Sequence, residues 1–357
     1  MSRFSLLKFF PPPDYLALPA VGIDISDQSI KFTKLKRTHH GLRLGDYGEA
    51  PVPFGAIQSG EIKNAEAVTA VLAELKRAHK LEAIVASLPE AAAYVIRLQL
   101  PVMKKSDLRE SIELQLEEHV PVPPAEAIFD YEILHEPGRE GDMFDLVVNV
   151  FPKRIVLAYT NVFLAAGLLP LALEIEAQAI ARSVVRAKTA THTLIVDFGK
   201  TRISFFVTQG VRVLFTTTIG SIGGENITKA IERGLKVSYE EAEKLKIERG
   251  LLPDKDNQEL FFAVMPVASA VRDEITKQID YWLSHSEHPP IERVILCGGQ
   301  ATLPGLVDYL NMSLAVPVEL GNSWTNVFLL DDFIPPLNLN QSLRYTTSLG
   351  LSLRHLP

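Results

Sequence analysis

Asp24 and Asp197 are the residues of this sequence best placed to do chemistry. Each interrupts an apolar run, Val21-Gly22-Ile23-Asp24-Ile25-Ser26 and Leu194-Ile195-Val196-Asp197-Phe198-Gly199. A carboxylate embedded in a strand without a partner costs on the order of 2–7 kcal/mol, and more while charged, so something must compensate both. Two such carboxylates facing each other suit Mg²⁺, which takes one or two protein oxygens and keeps several of its waters. Both are candidate catalytic and metal-holding residues, the metal held partly through water. Lys31, seven residues beyond Asp24, supplies a point charge of the kind that meets phosphate. Ser26 and Gly199 stand in the turns after each Asp, and Lys200-Thr201 follow at once. Gly223-Gly224 and Gly298-Gly299 let a ligand approach backbone closely and open toward helix N-termini. Glu243 and Lys246, three apart on one helix face, complete the set: Glu243 can accept from ribose hydroxyls. The chemistry they share is the binding of a nucleoside triphosphate with Mg²⁺ between two lobes.

The elements that must hold these groups repeat. Ile30-Lys31-Phe32 is answered by Ile203-Ser204-Phe205, and Gly41-Leu42-Arg43-Leu44 by Gly210-Val211-Arg212-Val213. An offset of 173 residues separates both Asp24 from Asp197 and Ile30 from Ile203, and 169 separates Gly41 from Gly210. Period-two alternation makes each copy an antiparallel β-meander, with one Asp at the end of its first strand. Asn64 predicts an N-cap for a helix burying Val68, Val71, Leu72 and Leu75. Residues 89–160 have the character of a small β-α-β-β insert. Its pieces are a Tyr94–Leu98 strand, a helix capped near Ser106, the break Val120-Pro121-Val122-Pro123-Pro124 and two further strands. A helix over Ala177–Lys188 crosses between the lobes. Ser238 and Glu241 form a capping box, a long amphipathic helix runs over Val264–Leu283, and Pro304 suits the N1 position of another. The fold class is α/β.

At 357 residues the chain is long enough for two lobes. A net charge of −7 argues against nucleic acid as a partner. The single Cys297 excludes an internal disulfide and a cysteine-built zinc site, and suits a reducing, cytoplasmic setting. No apolar run approaches the ~18 residues of a membrane span. The apolar Phe4–Phe10 stretch before Pro11-Pro12-Pro13 reads as a tail lying on its own domain. Gly199-Lys200-Thr201 is not a P-loop, because position 194 holds leucine where the motif needs glycine. His285 and His288, beside Pro289-Pro290, read as solvated surface and not as a metal site.

With these residues in place, the sequence resembles the actin / sugar kinase / heat-shock chaperone superfamily. Within its FtsA-like branch it is similar to the type IV pilus assembly protein PilM family. Carrying that resemblance are Gly22-Ile23-Asp24-Ile25, Leu98-Gln99-Leu100-Pro101-Val102-Met103 and Glu117-Glu118-His119-Val120-Pro121. Phe129–Leu134, Gly223–Thr228, Ala242–Lys246 and Gly298–Leu306 extend it over nearly the whole chain. It implies actin-like (ribonuclease H-like) duplicated domains with an inserted small FtsA-type subdomain. The first lobe would cover 15–88 and 161–190, with 330–357 returning to it. The insert would cover 89–160, and the second lobe 191–329, including a smaller subdomain at 221–290. ATP and Mg²⁺ are the implied cofactors. Asp24 and Lys31 would belong to the first phosphate motif, Asp197 and Gly199 to the second, and Gly298-Gly299 to the adenosine motif. The implied partner is the N-terminal cytoplasmic tail of a PilN-like bitopic inner-membrane protein, alongside other pilus motor components. It would dock in a groove at the insert lined by Tyr94, Ile96, Leu98, Leu116, Val120 and Val122. The chain would then sit at the inner face of the inner membrane, held there only through partners.

Two departures from the family pattern bear on activity. Ser26 stands where the first motif has glycine, and Lys200-Thr201-Arg202 where the second has small or polar residues. Both disturb hydrolysis more than binding, so at most slow ATP turnover is expected. A sugar-kinase-type phosphotransferase is the alternative on this fold, with Glu174 or Glu176 as the residue that serves as or orients a base. A filament former like actin is a third reading.

Overall fold

The computed structural model describes residues 21–39, 41–138, 142–252, 258–284, 288–329 and 333–354. The Phe4–Pro13 stretch and His285 lie outside these residues. Strands β1 (Val21–Ile25), β2 (Ser29–Thr38) and β3 (Gly41–Pro51) form the first meander, with Asp24 opposite Lys31. Alternation sends Ile23, Ile25, Ile30 and Phe32 into the core. A short hairpin, β4 (Ile57–Gln58) and β5 (Glu61–Ile62), precedes α1 (Ala65–His79). Asn64 caps α1 by accepting the Ala67 amide at 3.0 Å, and Val68, Leu72 and Leu75 are buried. Strand β6 (Ala83–Leu88) then runs parallel to β1.

Strands and helix β7 (Tyr94–Pro101), α2 (Leu108–His119), β8 (Ala127–His135) and β9 (Met143–Pro152) make a separate unit. Its three-stranded sheet has the order β7-β9-β8. Leu98, Leu100, Leu108, Ile112, Leu116, Phe129 and Val148 fill a core of its own, distinct from the main one. Helix α3 (Lys153–Ala165) packs back against α1. Strand β10 (Leu169–Ile175) completes the first five-stranded sheet, in the order β10-β6-β1-β2-β3.

Helix α4 (Glu176–Val184) is shorter than the sequence predicts. Asn326 Nδ2 ends it by donating to the carbonyls of Arg182 and Val185, at 2.7 and 2.6 Å. The second meander is β11 (His192–Phe198), β12 (Ile203–Gln209) and β13 (Arg212–Ile219). Helices α5 (Gly224–Leu235), α6 (Tyr239–Glu248) and α7 (Gln258–Leu283) follow. Helix α7 begins before the predicted Val264 and runs through Pro266. Burial of Leu260, Val264, Ala268 and Val271 along one stripe outweighs the hydrogen bond that the proline removes. Then come β14 (Arg293–Cys297), α8 (Leu306–Ser313) and β15 (Val318–Leu320). Pro304 lies just before the α8 N-cap, Gly305, and not at N1.

The second sheet has the order β13-β12-β11-β14-β15. Both sheets are therefore a meander whose first strand is flanked by two parallel strands, as the repeat requires. Short helix α9 (Leu339–Ser342) leads to α10 (Thr346–Ser352), which lies against β1, β2, β6 and α4. The α10–α4 contact demands glycine, since a Cβ on Gly350 would sit 1.7 Å from the Ala179 carbonyl oxygen. This clamp fixes α4 between the sheets, with Glu176 at its first position.

Candidate functional site

Strands β1 and β11 deliver Asp24 and Asp197 to the same cleft. Asp24 Oδ1 accepts a hydrogen bond from Ser87 Oγ at 3.1 Å. Asp197 lies beside Ser204 on β12 and Cys297 on β14. Burial pushes the Asp197 carboxyl up to about 6, and the negative charge of Asp24 adds to the rise, while Arg202 and Lys31 oppose it. The two carboxylates thus repel across the cleft, a strain that a cation between them relieves. Gly298 closes this floor. It holds φ +86, and a Cβ on it would come within 2.4 Å of Asp197 Oδ1 and 2.6 Å of the Phe198 carbonyl oxygen. Gly299 beside it has more room, since the nearest atom a Cβ there would meet is Arg344 Cγ, at 3.6 Å.

The turns after the two aspartates are built differently. In the first, Ser26 N–H and Oγ both donate to the Ser29 carbonyl at 2.9 Å, and the Ser29 amide donates back to Ser26 Oγ at 3.2 Å. Ser26 is a staple of its own turn. Lys31 Nζ donates to Ser29 Oγ at 2.8 Å and lies 3.7 Å from Glu49 Oε1, so it is anchored beside this turn. Asp27, which sequence reasoning left unused, accepts the amides of Ser59 and Gly60 at 3.0 and 2.8 Å and ties the β4–β5 hairpin down.

In the second turn the Gly199 amide donates to the Arg202 carbonyl at 3.0 Å. The carbonyls of Gly199 and Lys200 accept from the Gly224 and Glu225 amides, and the Gly223 amide donates to Asn226 Oδ1. These α5 N-terminal amides are spent within the chain. The expectation that Gly223-Gly224 offers a helix N-terminus to phosphate is corrected accordingly: the glycines let α5 dock on the turn. Lys200 and Thr201 are exposed, and the Lys200 ammonium faces Glu225 and the Tyr239 ring.

The role expected of Lys246 is corrected too. It is 3% exposed, and its Nζ donates to Glu243 Oε1 at 2.7 Å and to Thr228 Oγ1 at 2.9 Å. That makes it an internal strut between α5 and α6. Burial alone would raise Glu243, but the hydrogen bonds from Lys246 and Thr228 prevail and lower it. Glu243 keeps 26% of its side-chain surface.

Sequence reasoning named Glu176 as a candidate base and Arg202 as a departure, but missed that they pair, with Glu90 beside them, as a second charge cluster on the same floor. Glu176 Oε1 accepts from Arg202 Nη2 at 3.1 Å, joining α4 to the second turn across the cleft. Burial pushes Glu176 up to about 8 against the pull of Arg202, with Asp24, Glu90 and Asp197 adding to the rise. Glu90 Oε2 accepts the Ala177 amide at 3.1 Å, and burial pushes Glu90 up to about 7. The available signal was Arg202 itself, a cation three residues after the glycine of an Asp-x-Gly turn. Glu174, the other candidate base, is ion-paired with Arg182 at 2.6 Å and with Arg354, its side chain 1% exposed. It is a structural tie.

The partner-groove residues do not line an open groove. Leu98, Leu116 and Val120 belong to the insert's own core, and Val122 is only 9% exposed. The prolines end α2 and the chain's own side chains fill the space behind it. Tyr94 and Ile96 remain half-buried on β7. His288 stacks on Trp282 at 3.8 Å. Among the described residues no group of three or more His, Cys, Asp or Glu forms a protein-only metal cage. Asp24 and Asp197 are the residues on the floor that could share a cation.

A family model described as type IV pilus assembly protein PilM matches residues 22–356. The cell division protein FtsA of Enterococcus hirae is 26% identical over 227 residues, covering 55% of this chain and 50% of that protein. The chain thus spans about half the length of that relative. The solved PilM-PilN type IV pilus biogenesis complex matches with a TM-score of 0.79 at 22% identity, covering 95% of this chain and 99% of that one. MreB5 of Spiroplasma citri bound to ADP matches with a TM-score of 0.52 at 13% identity, covering 86% and 92%. The fold is that of the actin-like ATPases.

Proposed function

The chain belongs to the type IV pilus assembly protein PilM family, and from that premise we propose that it is an ATP-binding scaffold of a pilus or secretion machine. The actin-like ATPase fold implies a nucleotide site; the identity of the nucleotide as ATP, with Mg²⁺, is part of this proposal. One observation carries it: a duplicated meander brings Asp24 and Asp197 into one cleft, where they repel through a desolvated floor. A cation held by both carboxylates would neutralise that floor and meet the phosphates, and Lys31 and the Gly298 turn border the same space. Asp24 and Asp197 would hold Mg²⁺, partly through water, and the cation would draw the phosphate charge into the cleft. Turnover is slow on this reading, because Glu176 is paired with Arg202. No observation favours a phosphotransferase, and Glu174 is committed to two arginines.

The partner on this reading is the cytoplasmic N-terminal tail of a PilN-like bitopic inner-membrane protein. Strand β7 lies at an edge of the insert's sheet and keeps part of Tyr94 and Ile96 accessible, which suits an extended peptide. Among the described residues no helix is long and apolar enough to cross a membrane. A position at the inner face of the inner membrane would therefore rest on that tail. Calorimetric titration of Mg²⁺–ATP, then pull-down with the tail peptide, tests both halves. Absence of heat with ATP in either metal condition would sink the nucleotide reading.

A further inference from the structure

Charge on the cleft floor is unbalanced. Asp24, Asp197, Glu176 and Glu90 converge there, and a polyphosphate would bring still more negative charge. Two side-chain cations act on this cluster, Lys31 and Arg202. Lys31 is already anchored by Ser29 and Glu49 at the outer turn. Arg202 is different. It is as buried as Lys31, at 16% against 14% exposure, but its Nη2 donates to Glu176 Oε1, a carboxylate of the floor itself. A guanidinium carries a planar fork of donors and keeps its proton in proteins, so one bond leaves most of the fork for another anion. The fork sits at the end of the turn that begins at Gly199, directly beyond Asp197.

Resting on the nucleotide reading above, we propose that Arg202 is a fixed cation of the nucleotide site. It supplies the phosphates with positive charge beyond that of Lys31 and a divalent ion, so the chain holds nucleoside polyphosphate with reduced dependence on Mg²⁺. The class of ligand is a nucleoside di- or triphosphate, whose oxygens match the fork in bidentate fashion. Glu176 is the internal competitor for the same guanidinium. Being on α4, it also makes the exchange of partners a change in how the two sheets are tied together.

Two variants move binding in opposite directions. ATP is titrated by calorimetry into the full chain at pH 8.5, once in EDTA and once in excess Mg²⁺. Arg202→Gln weakens binding in EDTA by about tenfold or more, the loss of a charge-assisted hydrogen bond, and by less than about threefold in Mg²⁺. Glu176→Gln frees the fork and tightens binding in EDTA, by about threefold or more. Arg202→Lys keeps the charge without the fork and falls between unmodified protein and Arg202→Gln. Equal weakening of Arg202→Gln in both media would assign Arg202 a purely structural part and overturn the proposal. Unmodified protein that binds only with Mg²⁺ overturns it as well, while leaving the nucleotide reading intact. No binding in either medium removes both.

Discussion

Replacing Glu176 with glutamine should change the pH dependence of stability in the nucleotide-free protein. The sign follows from the rise of this carboxyl from an ordinary 4.5 to about 8 on folding. Between those values the folded chain binds a proton that the unfolded chain has released, so stability falls as pH rises through this window. Below about pH 4.5 the contribution is fully present, and above about pH 8 it is lost. Taken alone, such a shift is worth roughly 5 kcal/mol at 1.36 kcal/mol per pH unit. Glu90 and Asp197 are raised by the same burial and mutual repulsion, so part of that sum belongs to them and not to Glu176. About 2 kcal/mol is the share to expect at this position. Glutamine carries no charge, so Glu176→Gln should match the unmodified protein near pH 5 and exceed it by about 2 kcal/mol at pH 8.5. For a domain of 150–250 residues that is roughly 4–8 °C in Tm. Thermal melts in EDTA at pH 5 to 8.5 measure it. A constant difference across the range refutes the reasoning. Loss of stability in Glu176→Gln at pH 8.5 would mean that the Arg202 pair outweighs desolvation, which also refutes it.

Asp24→Ala and Asp197→Ala should each weaken Mg²⁺–ATP binding by about tenfold or more in calorimetry; wild-type affinity in both would sink the two-carboxylate site. Phosphate release by the unmodified protein should fall far below the typical ~10 per second of enzymes, and brisk turnover or sugar phosphorylation would return the kinase reading. Glu174→Gln should cost about 3 kcal/mol in urea unfolding, the low end for a broken buried pair because both arginines keep some solvent. Its ATP affinity should be unchanged; a matching loss of affinity would show that the tie reaches the cleft. Ile96→Glu should abolish pull-down of the tail peptide while ATP binding persists, and undiminished capture would move the partner off β7.

The repeat was legible because it is written in local terms. Alternation, a carboxylate at a fixed place in each meander and a constant offset need no knowledge of tertiary contact, and the two sheets reproduce them strand for strand. The Asn64 cap was legible for the same reason. Where sequence reasoning failed, the failure lies in which partner a polar group finds first. Gly223, Gly224 and Glu225 carry amides that suit phosphate, yet the Gly199 and Lys200 carbonyls and Asn226 stand closer than any ligand. Lys246 has Glu243 within reach on its own helix and Thr228 on the neighbouring one, so it is buried before it can serve a nucleotide. Leu116 and Val120 follow the same logic in apolar form: a small sheet has few side chains with which to cover its face, and it uses these.

Glu176 and Arg202 show the same rule at the cleft itself. No motif joins them: they lie 26 residues apart in sequence, and one sits on α4 while the other leads into β12. Their importance comes from burial, which the sequence does not state. An exposed Arg–Glu pair would be worth little and could be ignored. At 16% and 6% exposure, beside three further carboxylates, the same pair decides the charge of the cleft floor. Arg202, a departure from the family pattern that in sequence suggests a damaged phosphate loop, is in the folded chain the counterion of that loop's own surroundings.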